Sequence, residues 1–192
     1  MSDFWLYLKL GLYHVLDWQA HDHILFLIVL VAAYTFSSWK KIFILVSLFT
    51  IGHTLSLLLA SYNIVSVSSI WIEFLIPITI LIAAVYNLVT AGKNRDSNSI
   101  GLFYVITIFF GLIHGFGFAS YFKIINEEKA ILPLLEFALG IEIAQVIIVL
   151  LVLLLGFIFQ RIFRFNKRDW VLVVSAIVIG LVIPMLQRNW PF

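Results

Sequence analysis

His14-Val-Leu-Asp17-Trp-Gln-Ala-His21-Asp22-His23-Ile-Leu-Phe26 packs five ionisable, cation-binding side chains into ten residues, at the threshold of a long apolar segment. Ionisable groups in or beside hydrocarbon are costly, so such a cluster reads first as a functional site. Histidine and aspartate, with no lysine or arginine among them, suit a metal ion or protons. The bland alternative is a polar loop in which Asp22 caps the helix that follows.

The rest of the chain sets that cluster in lipid. Of 192 residues, 63% are hydrophobic and only 11% are charged, against roughly 25% charged in soluble domains. With a mean hydropathy of +1.11, the chain reads as an all-α, polytopic transmembrane helix bundle, a single integral membrane domain over residues 1–192. Its partners are the lipid bilayer and a metal ion, and a homo-oligomer or a role as an accessory membrane subunit is compatible with it. No basic patch interleaved with aromatics points to nucleic acid. The absence of cysteine excludes disulfides, thiolate metal sites and cysteine nucleophiles. The start Met-Ser-Asp-Phe-Trp lacks the basic n-region of a signal peptide, so the first helix is expected to be retained.

The apolar runs predict seven helical segments. Residues 4–16 form a short helix of about 20 Å, less than a bilayer core of roughly 30 Å; it tilts to span or lies half-inserted. Ile24–Ser38 is the second helix, ending before Lys40 and Lys41, and Ile42–Ser61 the third. After a loop at Ser66–Ser69 comes Trp71–Thr90, then a polar linker at Gly92–Ser99. Ile100–Tyr121 is the fifth helix, interrupted by Gly115 and Gly117, followed by a turn at Asn126–Lys129. Leu132–Phe159 and Trp170–Leu186 complete the set, joined by a basic loop at Arg161–Asp169. The expectation is six spanning helices plus the short N-terminal one, which packs on the bundle with its C-terminal end outward.

Lys40 and Lys41, Lys93 and Arg95, and Arg161, Arg164, Lys167 and Arg168 occupy alternate loops. The positive-inside rule assigns these loops to the cytoplasm, which leaves the C-terminus outside. Trp5, Trp71 and Trp190 fit an interfacial belt.

Removing the loop charges leaves Asp17, Asp22, Glu73, Glu136 and Glu142 with all five histidines. Buried carboxylates must be protonated, hydrogen-bonded or bound to a cation. Counting about 1.5 Å per residue from the basic loops places His53 roughly 18 Å up and His23 roughly 25 Å up. The same count puts His114 and Glu142 roughly 28 Å up, with Glu73 and Glu136 higher. The ionisable groups therefore converge on the outer half of the membrane. The candidate ligands are His14, Asp22, His23, His53 and His114. Asp17, Glu73 and Glu142 are candidates to hold the ligands' other ring nitrogens. Gln145 shares a helix face with Glu142, and Ser56 lies one turn from His53; Glu136 completes the neighbouring set. Each has a plainer reading as well: His53 as an interhelical hydrogen bond, the glycines around His114 as a packing face, Glu73 and Glu136 as solvated near the interface, and His21 as a loop residue.

The segments that carry these residues resemble the HupE/UreJ family of small bacterial membrane proteins. They are Gly11-Leu-Tyr-His-Val-Leu-Asp with Asp22-His-Ile-Leu-Phe-Leu, then Phe49-Thr-Ile-Gly-His-Thr-Leu-Ser, Glu73 with Ala-Val-Tyr-Asn87, His114-Gly-Phe-Gly-Phe-Ala and Phe137-Ala-Leu-Gly-Ile-Glu-Ile-Ala-Gln145. The resemblance implies a bacterial inner-membrane protein concerned with nickel or cobalt uptake. It carries functional positions over to His14, Asp22, His23, His114 and Glu142. The chain departs from the pattern at Ala138 and Ala144 and lacks the usual leader, which places it in a less characterised branch.

Three functions compete. The first is transport of a divalent ion, nickel, cobalt or zinc, through a His/Asp/Glu site, which His and carboxylate ligands suit. The second is an intramembrane zinc-dependent enzyme, hydrolase-like, in which a metal-held water attacks a lipid or membrane-embedded substrate and Asp17, Glu73 or Glu142 is the general base. The third is a metal-stabilised scaffold. No HExxH or nucleophile-elbow motif supports a reaction class.

Overall fold

The computed structural model describes residues 3–18, 21–92, 97–126 and 130–191. The predicted linker around Lys93 and Arg95, and most of the predicted turn at 126–129, lie outside these residues. The elements are α1 (Asp3–Leu16), α2 (Asp22–Val31), a 3₁₀ turn (Phe36–Ser38), α3 (Trp39–Ser61), α4 (Ser69–Thr90), α5 (Ser97–Ile125), α6 (Ile131–Arg161) and α7 (Lys167–Arg188). Among the described residues there is no strand. Five helices, α3 to α7, are long and apolar enough to cross a membrane. The chain is thus an all-helical, polytopic membrane protein.

The second helix is shorter than the apolar run suggests. It stops at Val31 instead of Ser38, so it covers about 15 Å and does not span by itself. Thr35 is extended, and its hydroxyl pairs with that of Ser37 at 2.8 Å. Such local side-chain bonds compete with helix continuation. Asn87 of α4 donates to the Val29 carbonyl at 2.7 Å and so takes up one of the acceptors exposed at the helix end. The predicted interruption of α5 at Gly115 and Gly117 is absent: α5 is continuous through both.

Lys40, Lys41, Arg161, Arg164, Lys167 and Arg168 mark one end of the bundle, called here the basic end. From it α3 and α5 run side by side in the same direction. Gly52 lies against the backbone of Ile108 and Leu112, Gly111 against Phe49, and Gly115 against His53 and Ser56. Lys123 donates to the Asn63 side chain at 3.0 Å where both helices reach the far end. In lipid, no hydrophobic effect draws helices together, so small residues that let backbones meet supply much of the packing.

A second close pair orients α1. The Tyr7 hydroxyl donates to the Ile125 carbonyl at 2.7 Å, at the far end of α5. The His14 ring lies 4.0 Å from Phe118, two turns back towards the basic end. Hence α1 starts at the far end and runs inward, alongside α6, with Gly11 and Gly140 face to face. A Cβ on either would run into a backbone carbonyl, of Phe137 or of Leu8. α2 then continues towards the basic end, where Val31 and Tyr34 share a cavity with Val152, Leu153 and Gly156 of α6. α1 and α2 therefore lie in series along α6, broken between Leu16 and Asp22. The sequence reading turned the C-terminal end of α1 away from the basic loops; here that end faces the basic end. Tyr7 and the contact between His14 and Phe118 give α1 its direction, and the glycine pair sets it against α6.

α4 and α7 close the bundle. Pro77 lacks the N–H that would bond the Glu73 carbonyl, and Asn189 beyond α7 donates to that carbonyl at 3.0 Å. Trp71 and Trp190 flank Phe74 there, both substantially exposed.

Two outcomes check this arrangement. Gly140→Ala should lower the melting temperature in detergent, with an overpacking cost of about 1–3 kcal/mol. Gly180→Ala should not, because nothing lies within 4 Å of a Cβ at that position. The chain has no cysteine, so single cysteines can be labelled without background. Phe4→Cys and Val67→Cys should label from the same side of the membrane, and Phe165→Cys from the other. Labelling of position 4 together with 165 would reverse α1.

Candidate metal centre

Four elements deliver the histidines to one place, each for a local reason. His53 follows Gly52 on α3 and His114 precedes Gly115 on α5, so the glycine seam brings those backbones together at the histidines. His14 follows Gly11 by one turn on α1. His23 sits in the first turn of α2, where the break exposes it to the other three. The His14 and His23 rings are 4.7 Å apart, His14 and His53 5.5 Å, His23 and His53 5.9 Å, and His23 and His114 4.8 Å.

His14, His23 and His53 each offer a ring nitrogen, and the three atoms lie within 4.8 Å of one another. Around a tetrahedral ion with bonds of about 2.1 Å, ligand atoms would be roughly 3.4 Å apart. A modest inward swing of the rings closes that difference. His114 and Asp22 stand beside this set. The Asp22 carboxylate accepts from the His23 backbone N–H at 2.9 Å and lies 3.1 Å from His23 Nδ1. Its other oxygen is 4.0 Å from His114 Nε2.

The hydrogen bonds choose tautomers. The Phe110 carbonyl can only accept, so the 2.9 Å contact from His114 requires a proton on Nδ1 and leaves Nε2 as a lone pair. At His23 the carboxylate favours the proton on Nδ1, which again frees Nε2. Nε2 of His14, His23 and His114 and both ring nitrogens of His53 are buried without a hydrogen-bond partner in the protein. Buried polar atoms are ordinarily paired, and a cluster of unpaired nitrogens calls for a partner from outside the chain. Phenylalanines wall the cluster: Phe118 and Phe137 stack beside His14, and Phe49 contacts His23, His53 and His114. A cleft of about 380 Å³, lined by Leu10, Tyr13, His14, Leu16, Asp17, Phe118 and Tyr121, reaches His14 from the surface.

The remaining candidates go elsewhere. Glu142 is not level with the histidines. It accepts from Ser47 at 2.6 Å and from Thr50 in a shorter contact. These residues lie one and two turns nearer the basic end than His53, about 12–17 Å along α3 from Trp39. Counting from Arg161 overshot because α6 is 31 residues long and exceeds the straight depth of a bilayer. Gln145 donates to Thr50 at 3.0 Å. Ser56 donates to the His53 carbonyl at 2.8 Å, on the Gly115 side. Glu73 is exposed, and Glu136 is buried with one unpaired oxygen, a turn before Gly140 on α6. Asp17 is exposed at the cleft, and His21 precedes α2 with its carbonyl bonded to Leu25 N–H. Thr50, Phe118 and Phe137 are the neighbours that sequence reasoning missed. The spacing Ser47, Thr50, His53, Ser56, one polar residue every three on one helix face, was the available signal for Thr50.

Fold and site define a polytopic helical membrane protein with a buried polyhistidine cluster. A family model described as HupE / UreJ protein matches residues 1–188, and the chain belongs to that family. Membership brings a nickel- or cobalt-transport-like role. Comparison with curated proteins and with solved structures finds no significant match.

Alanine at His23 or His53 should lower the affinity of purified protein for Ni²⁺ or Co²⁺ by about tenfold or more. His21→Ala should leave it unchanged. Equal losses at all three positions in a metal titration would remove the cluster as the ligand set.

Proposed function

We propose that the protein binds a divalent transition-metal ion, nickel, cobalt or zinc, and moves it across a bacterial inner membrane. His14, His23 and His53 hold the ion through ring nitrogens, with His114 and Asp22 completing the site. The observation that carries this reading is the set of five buried imidazole nitrogens without partners, converging from four elements. Neutral imidazole is a good ligand for all three metals, and affinity alone does not choose among them. The basic end faces the cytoplasm by the positive-inside rule. α1 and α2 in series then form a sixth, broken crossing, both termini are outside, and the cleft beside His14 and Asp17 receives the ion.

Broken helices are where transporters place their sites, because backbone freed at the break can face a cavity while the rest remains helical. The ends meeting here suit a cation. The C-terminal end of α1 carries partial negative charge and bears His14 in its last turn. The N-terminal end of α2 carries partial positive charge, and the Asp22 carboxylate in its first turn offsets it.

A metal and protons compete for imidazole nitrogens. Affinity should fall as the solution is acidified, because each ring nitrogen that takes a proton is lost to the ion. The sign is fixed: protonated ligands repel the ion, so acid weakens binding. Metal titrations at several pH values, beside uptake into proteoliposomes, test both halves of the reading. Affinity independent of pH would remove the histidine ligands. Tight binding with no uptake would favour an intramembrane metalloenzyme using the same cleft.

A further inference from the structure

The histidine site explains capture but not release. An ion held by three imidazoles must pass to weaker donors to leave, since conduction requires sites that bind without trapping. The polar face of α3 continues from His53 towards the basic end through Thr50 and Ser47, at steps of about 4.5 Å. Across from it, α6 supplies Glu142 and Gln145.

These four side chains form one connected group. Ser47 donates to Glu142 Oε1 at 2.6 Å, and Thr50 donates to Oε2. The Gln145 amide nitrogen donates to the Thr50 oxygen at 3.0 Å. Ser47 and Thr50 face the carboxylate with their hydroxyls, and Thr50 also lies 3.3 Å from the Val46 carbonyl. Among the described residues no lysine or arginine forms a salt bridge with Glu142. Gln145 is wholly buried, and its amide oxygen, at the Thr50 end of the group, has no hydrogen-bond partner. The half-buried Glu142 carboxylate thus sits in a group whose buried Gln145 amide oxygen lacks a partner.

Resting on the transport reading, we propose that Glu142, Ser47, Thr50 and the Gln145 amide oxygen form a second, all-oxygen cation station. It lies one to two helical turns from the histidines towards the basic end, and it receives the metal from His53. Oxygen donors hold nickel, cobalt and zinc less firmly than imidazole nitrogens, so the step from one station to the other loosens the ion. The station also gives the histidine site a neighbouring carboxylate on its basic-end side.

The experiment separates binding from passage. Glu142→Gln keeps the size and hydrogen-bonding capacity of the side chain and removes its charge. Wild type, Glu142→Gln, Glu142→Asp and Ser47→Ala are each titrated with Ni²⁺ or Co²⁺ and assayed for uptake in proteoliposomes from the same preparation. The expected result is affinity within about twofold of wild type in all three variants, with uptake reduced about tenfold or more in Glu142→Gln, less in Ser47→Ala, and partly restored in Glu142→Asp. Retained affinity shows that each variant is folded. Uptake by Glu142→Gln at the wild-type rate overturns the second station. So does a loss of affinity as large as that of His53→Ala, which would make Glu142 a part of the histidine site. Wild-type protein that binds without uptake instead refutes transport itself, a result distinct from either.

Discussion

A neutral imidazole has one donor and one acceptor, and burial in a bundle leaves no water to satisfy them. Four histidines drawn together can answer only part of that demand from within the protein. Asp22 and the Phe110 carbonyl each fix one ring, and five nitrogens remain unpaired. The rest of the fold is arranged around that demand. Two glycine seams, α3 on α5 and α1 on α6, let backbones approach closely enough for the rings to meet. Phenylalanine rings then fill the space around them, which lowers the local dielectric and strengthens whatever electrostatic contact the nitrogens make.

The break between α1 and α2 answers a geometric difficulty. His14 and His23 are nine residues apart. On one unbroken helix they would lie about 13.5 Å apart along the axis, too far to share an ion. Breaking the helix and shifting α2 beside the end of α1 brings their rings to 4.7 Å. The cost is backbone groups released at two helix ends in the middle of the bundle. Asp22 takes up the His23 N–H at one of them, so the residue that compensates for the break is also the residue that orients a candidate ligand.

The fold class and most helix positions were legible because hydrophobic runs long enough to cross a bilayer leave few alternatives. The end of α2 was not, because Val31-Ala-Ala-Tyr-Thr-Phe36 stays apolar while the backbone turns; composition reports the surroundings of a segment and not its conformation. The convergence of His14, His23, His53 and His114 was legible from depth, since helix rise converts sequence distance into height. Height along one helix does not transfer to a longer or more tilted one, which is why Glu142 was placed too far from the basic end. Side-to-side relations are set by which faces meet, and only the glycine contacts reveal that α1 runs with α6 and α3 with α5.

Charge balance connects the two proposed stations. A divalent ion among neutral histidines beside one carboxylate, Asp22, leaves a net charge of about +1 in the histidine site. The same ion beside Glu142, with hydroxyl and amide oxygens, leaves the same net charge. Passage between them therefore exchanges nitrogen for oxygen donors without a further change in local charge, which in a low-dielectric interior would be the larger barrier. A second carboxylate at the histidines would trap the ion there. None at the inner position would leave it facing an unneutralised step. Asp22 beside the histidines and Glu142 at the inner position make the arrangement in which donor softness sets the direction of release.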